Sequence, residues 1–245
     1  MRSNMRHLTL ALLLPLAACG GLHDEDSRPS IPPNGSGPSR TFAANDFTAV
    51  ALLGPDDMDV RVGSAFSVRA DGDPGTLDRL RVVRDGKTLR VSRKSGFSLG
   101  SGGKVKIYVT MPRITEAALS GSGDITVDRI DGAAFEGSLS GSGDLKIGSI
   151  AVNTADFSIS GSGNVSADRG TAHQMKIAIA GSGDVYAPRV VAGGATVDVA
   201  GSSKVRAEVD GNATVSMMGS GAVDLGPKAK CETHKAGSGA VRCGG

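Results

Sequence analysis

The residues best placed to do chemistry are acidic side chains that recur behind a glycine-rich motif. Asp124, Asp144 and Asp184 each follow a Gly-Ser-Gly segment, and Asn164 holds the same place in another copy. If the copies stack, these side chains form a column ~5 Å apart. Ca²⁺ between the carboxylates would relieve their repulsion, which makes the column a calcium candidate. The favoured interpretation is that they are turn residues hydrogen-bonding the bend, because Asn164 interrupts the carboxylates.

Two cysteines flank the last copy of this motif. The chain has three cysteines, of which Cys231 and Cys243 lie near its C-terminal end. In an oxidising compartment we expect these two to form a disulfide, which would contribute ~3 kcal/mol on the chain-entropy model. Two free thiols or a metal-binding pair are the alternatives.

The remaining reactive side chains do not form a catalytic pattern. His173 and His234 have no cysteine or acid at metal-ligand spacing. The serines occur in the repeats rather than in a nucleophile elbow, and Gly-Ser-Gly-Asp lacks the lysine and helix of a phosphate-binding loop. Aromatic residues are 3% of the chain, with no Trp to stack on a sugar. We therefore predict no enzyme activity, no catalytic residue and no cofactor.

The motif repeats with a period that defines the architecture. Its leading glycine recurs at positions 121, 141, 161, 181, 201, 219 and 237. Apolar residues alternate on both sides of most copies, as in Phe157 and Ile159 before the glycine and Val165 and Ala167 after it. Period-2 alternation indicates strands with one face inward. The pattern predicts an all-β, right-handed parallel β-helix or β-solenoid with coils of about 20 residues. Antiparallel hairpins with Gly-Ser-Gly loops are the alternative.

The domain organisation follows from where this repeat starts and ends. We predict a repeat solenoid over 113–245, closed by a polar last coil in which Thr233 and Lys235 replace the apolar residues. The 41–112 segment has short alternating runs and a hairpin signal at Asp85-Gly86. It forms either the first coils of the same body or a small sheet that caps it.

The N-terminal residues are typical of an export signal. A basic start precedes an apolar run from Leu8 to Ala18, which is too short to span a bilayer. Leu16-Ala17-Ala18-Cys19 resembles the bacterial lipobox, which implies cleavage of residues 1–18 and acylation of Cys19. Gly20 after the cysteine implies sorting to the outer membrane. An ordinary signal peptide is the alternative. Residues 19–40 are rich in Pro, Gly and Ser, which predicts a flexible tether.

The charge balance argues against a nucleic-acid partner. The chain has 27 basic and 25 acidic residues, a formal net charge of +2. We find no Lys/Arg cluster in the sequence that would create a local basic surface.

Three features together resemble the bacterial GIN-domain family, whose members are labelled auto-transporter adhesin head domains. They are the segment from Phe47 to Asp73, the Thr110-Met111-Pro112 strand end, and the Ser-Gly-Ser-Gly-Asp run from Ser120. The resemblance covers roughly 42–241 and implies that 41–245 is one GIN-type domain. It also implies a β-helical envelope protein, without naming a ligand.

The sequence therefore predicts a non-enzymatic cell-envelope lipoprotein that acts as an adhesin-like interaction scaffold. We expect it to be exported and held at the outer membrane by its lipid anchor, with an envelope protein or glycan as its partner. The alternatives are a polysaccharide-active β-helix enzyme and a purely structural envelope lipoprotein.

Overall fold

The computed structural model describes residues 29–94 and 103–244, and almost every element in these ranges is a strand. The predicted signal peptide and Cys19 lie outside the described residues. The strands are β1 (Pro33–Asn34), β2 (Ser39–Phe42), β3 (Ala49–Gly54), β4 (Asp57–Val62), β5 (Ser67–Asp71), β6 (Leu80–Asp85), β7 (Thr88–Arg93), β8 (Lys106–Met111), β9 (Glu116–Gly121), β10 (Ile125–Val127), β11 (Ile130–Gly141), β12 (Leu145–Ile147), β13 (Ile150–Gly161), β14 (Val165–Ala167), β15 (Gly170–Gly181), β16 (Val185–Gly201), β17 (Lys204–Val209), β18 (Asn212–Gly219), β19 (Ala222–Asp224), β20 (Lys230–Ala236) and β21 (Ala240–Arg242). One helical turn, α1 (Pro74–Leu77), interrupts them.

From β9 onward the strands stack as a parallel solenoid whose register equals the sequence period. Leu139 pairs with Ile159 and Ile125 with Leu145, each 20 residues apart. After the spacing shortens, Val197 pairs with Val215, 18 residues apart. From Gly121 to Gly237 the chain completes about six turns. The predicted parallel solenoid is therefore confirmed, and the antiparallel-hairpin alternative is wrong for the repeats.

Burial explains why the repeated apolar positions form strands. Side chains at the alternating positions point inward and form ladders along the stack, as Phe157, Ile177, Val197 and Val215 do, each at most 1% exposed. One coil cannot bury its own apolar face, but successive coils cover one another. The segment that returns from one corner to the next is also a strand, since β11, β13 and β15 each run for 12 residues.

Six of the seven motif copies have glycine at the second position, with Ser203 as the exception, and the distance between coils favours glycine there. A Cβ placed on Gly143 would lie 1.8 Å from the backbone oxygen of Gly123 in the preceding coil. The first glycine has a second reason, because Gly141 has φ +121°, which L side chains rarely adopt. The motif is therefore a corner that stacks on identical corners.

The N-terminal segment contains both of the structures that the sequence left open. β3 and β4 form a first coil, because β3 pairs in parallel with β9 and β4 with β10. The other strands form a cap: β6 and β7 are an antiparallel hairpin around Gly86-Lys87, and β5 pairs antiparallel with β2 and β8. The hairpin predicted at Asp85-Gly86 is confirmed.

The last part of the predicted tether belongs to this cap. β2 pairs with β5, and Arg40 is 7% exposed and hydrogen-bonds Asp78 at 2.8 Å. Ile31 N donates to the Val82 carbonyl at 2.8 Å. The flexible-tether prediction is therefore wrong for 31–40, because the cap supplies strand partners that composition does not reveal. Residues 19–28 lie outside the described range.

The C-terminal coil closes the stack with polar groups and a covalent bond. Cys231 and Cys243 form a disulfide with Cα atoms 6.1 Å apart, which ties β20 to the chain end. Thr233 and Lys235 are exposed, and the Lys235 ammonium donates to the Gly239 carbonyl at 2.9 Å. The polar coil covers the apolar ladder below it, which protects the sheet edge.

Candidate functional site

The acidic column is a hydrogen-bond ladder that joins successive coils. In each step one side-chain Oδ1 accepts the backbone N–H of the matching residue in the next coil. Asp124 N donates to Asp57 at 3.1 Å, Asp144 N to Asp124 at 3.0 Å, Asn164 N to Asp144 at 3.1 Å, Asp184 N to Asn164 at 3.0 Å, and Lys204 N to Asp184 at 2.7 Å. An amide oxygen accepts as well as a carboxylate oxygen, which explains why Asn164 fits this position.

Lysine ammonium groups lie beside the carboxylates of the column, where a metal ion would otherwise offset their repulsion. Lys146 Nζ is 2.7 Å from Asp124 Oδ2 and 3.8 Å from Asp144 Oδ2. Lys104 Nζ lies 3.1 Å from Asp57 Oδ1 at the start of the column. These ammonium groups offset the carboxylate repulsion that made calcium a candidate.

The contact between Asp124 and Lys146 shifts the pKa values of both groups. Burial alone would raise the pKa of Asp124, but hydrogen bonds from Lys146 and the Asp144 backbone outweigh it, so that the pKa lies below its ordinary value. The hydrogen bond to Asp124 raises the pKa of Lys146 above its ordinary value, against a smaller effect of burial. Both groups therefore stay charged over the physiological range.

No cluster of three or more His, Cys, Asp or Glu side chains suited to a metal occurs within 29–94 and 103–244. Asp124, Asp144 and Asp184 stand in one column, but each Oδ1 is occupied by a backbone N–H of the next coil. Each side chain of the column therefore caps a backbone N–H of the next coil, not one of its own coil.

A groove that was not predicted from the sequence lies on the outer face of the long strands. It follows the positions one and three residues before each corner glycine, where the outward side chains are small. The nearer column is Ser120, Ser140, Ser160, Ala180, Ala200, Met218 and Ala236, and the farther one is Ala118, Ser138, Ser158, Ala178, Asp198, Ser216 and His234. The repeated Ser/Ala pattern was visible in the sequence, but its concave shape depends on the bend of the sheet.

The groove has two connected parts. The part over β11 to β20 has a volume of about 600 Å³, and the part over β3 to β13 about 370 Å³. Both are lined by Leu139, Ser158 and Ser160, so that they continue into one another. With strands ~4.8 Å apart, the eight long strands β3, β9, β11, β13, β15, β16, β18 and β20 give a groove length of roughly 34 Å. The groove is long, shallow and mainly apolar.

The two ends of the groove differ in character. Arg90 of the cap lies at the β3 end. At the other end Met218 is 63% exposed, beside His234 and Lys235 of the last coil. Met218 extends the mainly apolar lining of the groove, and a contiguous exposed apolar surface is typical of an interaction site.

The aromatic and histidine side chains do not line a common cleft. Tyr108 lies under the guanidinium of Arg69, 4.5 Å from the ring centroid. Tyr186 is 55% exposed, in the short-strand column paired with Ser166 and Arg206, which is not part of the groove. His234 lies 3.5 Å from Glu232 in the exposed last coil. The groove therefore lacks the tyrosine platforms of a sugar-binding cleft.

The expectation that the chain contains no Lys/Arg cluster is wrong. The β6–β7 hairpin, taken as 78–94, carries seven basic residues against Asp78 and Asp85. The cluster is hard to recognise in the sequence because apolar core residues alternate with the basic ones along both strands.

No helix among the residues that the structure describes is long and apolar enough to cross a membrane.

The comparisons with known proteins agree with this fold. A family model described as "Putative auto-transporter adhesin, head GIN domain" matches residues 46–227. No protein with a curated description matches the chain. Among solved structures, a "putative adhesin" from Bacteroides fragilis has a TM-score of 0.75 at 17% identity, covering 84% of this chain and 95% of its own.

Two further solved structures share the architecture. A "putative lipid binding protein" from Parabacteroides distasonis has a TM-score of 0.61 at 20% identity, covering 86% of this chain and 98% of its own. A "putative adhesin" from Parabacteroides merdae has a TM-score of 0.59 at 17% identity, covering 86% and 97%. At these identities the similarity shows the fold alone. The family model spans well over half of the chain, as the repeated corner motif predicted, and this chain therefore belongs to the auto-transporter adhesin head GIN-domain family.

Proposed function

We propose that the chain is a non-enzymatic lipoprotein of the cell envelope that holds an extended partner in the groove of its solenoid. The observation that carries this proposal is the groove, which is exposed and mainly apolar. Its larger part has a volume of about 600 Å³. Its small side chains let the backbone of a partner approach closely, and the serine hydroxyls can donate and accept hydrogen bonds. A length of roughly 34 Å suits about ten residues of extended chain.

The proposed role matches the description of the family as an adhesin head. An adhesin-like family favours an exported protein at the cell surface or in the envelope. Attachment through an acylated Cys19 and an outer-membrane location are the finer parts of the proposal. They rest on the lipobox-like Leu16-Ala17-Ala18-Cys19 and on Gly20.

The enzyme alternative has less support from the site. Glycoside cleavage requires two carboxyl groups facing each other across a substrate. In the groove Asp198 is the one carboxylate among the lining side chains of the described chain. The column carboxylates of Asp124 and Asp144 instead bond the backbone and Lys146.

A second candidate occupant is an apolar chain such as a lipid acyl group. The mainly apolar lining of the groove favours it, and one structure with this fold carries the name "putative lipid binding protein". Mass spectrometry of material extracted from the purified protein distinguishes this occupant from a peptide or a glycan.

The groove is tested by capture from envelope membranes with two matched double variants. Ala180→Glu/Ala200→Glu places carboxylates on neighbouring coils inside the groove. Ala151→Glu/Thr171→Glu does the same at exposed, paired positions outside it. We expect the wild type and the second variant to retain the same partner and the groove variant to lose it. Equal capture by all three would contradict the groove proposal.

The anchor is tested separately by labelling cells with palmitate. The wild-type chain is expected to take up label and Cys19→Ser to take up none. Label that persists in Cys19→Ser would contradict the proposed anchor.

A further inference from the structure

Charge is distributed unevenly between the two ends of this fold. The described part of the cap and first coil, 29–94 and 103–115, has 13 basic and 8 acidic residues, whereas the solenoid from 116 to 244 has 11 basic and 14 acidic residues. The formal charges are therefore +5 and −3. The β6–β7 hairpin accounts for the positive end, because its 78–94 segment alone has a formal charge of +5.

The hairpin is also the part of the fold next to the proposed anchor. Ile31 N donates to the Val82 carbonyl at 2.8 Å, and the Ser30 hydroxyl donates to the same carbonyl at 3.2 Å. Val82 is in the middle of β6. Only ten residues lie between Cys19 and Ser30, and a chain of that length, if it has the flexibility that its composition predicts, would span about 17–20 Å. A lipid on Cys19 would therefore hold the hairpin close to the membrane surface.

The exposed cations of the hairpin lie at its two ends. Arg84 and Lys87 are exposed at the turn, where Arg84 donates to the Gly86 carbonyl at 2.9 Å, and Lys94 is exposed at the far end. Arg93 differs, because its guanidinium bonds the buried Asp56 at 2.8 Å and its pKa is raised by that hydrogen bond. Arg93 fixes the hairpin to the first coil, and the exposed side chains are available to a partner.

We infer that the basic β6–β7 hairpin contacts the anionic lipid headgroups of the membrane to which the chain is anchored. This inference rests on the proposed lipid anchor at Cys19. A Lys or Arg near an anionic leaflet contributes about 1 kcal/mol, and the attraction falls off over a Debye length of ~8–10 Å.

The contact would also orient the groove. With the cap on the membrane, the acidic solenoid is repelled from the same surface, and the last coil lies farthest from it. The groove then runs away from the membrane, with Met218 and His234 toward its outer end. A partner arriving from outside would meet this end first.

The test uses the full chain carrying Cys19→Ser, so that no acyl chain contributes, and measures co-sedimentation with lipid vesicles. Vesicles are made of phosphatidylcholine alone or with phosphatidylglycerol, at about 50 and about 500 mM NaCl, which changes the Debye length several-fold. Because the apolar run of residues 8–18 would add binding to both kinds of vesicle, the measured quantity is the difference between them. We expect a preference for anionic vesicles at low salt that disappears at high salt.

Two double variants locate the contact. Arg84→Glu/Lys87→Glu is expected to reduce the affinity for anionic vesicles at least about tenfold, given about 1 kcal/mol per cation. Lys176→Glu/Arg206→Glu makes the same charge change at exposed positions of the solenoid and is expected to have a much smaller effect. Equal losses in both variants, or equal binding of the parent chain to neutral and anionic vesicles, would overturn the inference.

The palmitate experiment separates this inference from the proposed anchor. Label on Cys19 without any preference for anionic vesicles overturns the hairpin contact and leaves the anchor standing. A salt-sensitive preference that the hairpin variant abolishes supports the contact even if Cys19 takes up no label. Binding to soluble polyphosphate without binding to anionic vesicles would show an anion site of another kind and overturn the inference.

Discussion

Asp144 Oδ1 accepts the backbone N–H of Asn164 at 3.1 Å, one full coil further along the chain. The same contact recurs at every step from Asp57 to Lys204, so that a side chain of each coil caps the backbone of the next. The requirement at this position is an acceptor oxygen, and charge is secondary.

This ladder predicts different results for two substitutions at one site. Asp144→Asn keeps the acceptor, as Asn164 does naturally, and is expected to change the free energy of unfolding by less than about 0.5 kcal/mol. Asp144→Ala removes it and is expected to cost about 1–3 kcal/mol, as for a hydrogen bond to a charged group. Chemical denaturation measures both. Similar losses for Asn and Ala would mean that the charge, rather than the acceptor, is essential.

The same experiment tests the calcium candidate. Because Lys146 neutralises the column, millimolar Ca²⁺ is expected to leave the unfolding midpoint unchanged. A Ca²⁺-dependent increase in the midpoint that Asp144→Asn abolishes would restore the calcium interpretation.

The Asp124–Lys146 pair predicts an acid-dependent loss of stability. The pKa of Asp124 lies below its ordinary value of 3.8, so its stabilising contribution is complete above that value and is lost as the pH falls through the lowered pKa. Lys146 has a raised pKa, so its contribution is lost only as the pH rises above 10.5. Lys146→Met is expected to reduce the difference in unfolding free energy between neutral and acid pH.

Lys176→Met, at an exposed site, serves as the control for this pH experiment. If both variants keep the wild-type acid dependence, the pair is not its source.

Two adjacent residues of β16 test the inward and outward assignment. Val199 is 2% exposed in the apolar ladder, whereas its neighbour Asp198 is exposed in the groove. Val199→Asp buries an unpaired carboxylate and is expected to cost more than about 4 kcal/mol or to prevent folding. Asp198→Ala is expected to change stability by less than about 0.5 kcal/mol. Circular dichroism during thermal unfolding compares them, and equal losses would refute the assignment.

The close stacking of the corners predicts that Gly143 cannot carry a side chain without a local shift, although Ser203 occupies the matching position of a later coil. Gly143→Ala would place a Cβ 1.8 Å from the Gly123 oxygen, so that the coils must separate locally. We expect a loss of at least about 2 kcal/mol, in the range of overpacked cores. Gly103→Ala, with no atom within 4 Å of the added Cβ, is the matched control. A Gly143 variant as stable as the control would show that the coils are not so closely stacked.

Much of the fold could be predicted because its regularity is local in sequence. The 20-residue period fixes which residues pair, and alternation fixes which of them face inward, as for Ile159 and Ile179. The Asp85-Gly86 hairpin was predictable for the same reason, since its turn and both strands lie within 14 residues.

The parts that could not be predicted depend on contacts between distant segments. Asp57 joins the acidic column only because β4 pairs with β10, 67 residues later along the chain. Arg40 can be buried because Asp78, 38 residues later in the chain, accepts a hydrogen bond from its guanidinium. The concavity of the Ser/Ala face arises from how the stacked strands bend, which residue types alone do not specify.

The central claim is that the Ser/Ala groove is the surface at which this protein meets its partner. Site-specific photocrosslinking in intact cells tests it directly, with a photoreactive residue placed at Ala180 or Ala200 in the groove, or at Thr171 outside it. We expect one shared crosslinked product from the two groove positions and none from Thr171. Products that are the same at all three positions, or that form at Thr171 alone, would contradict it.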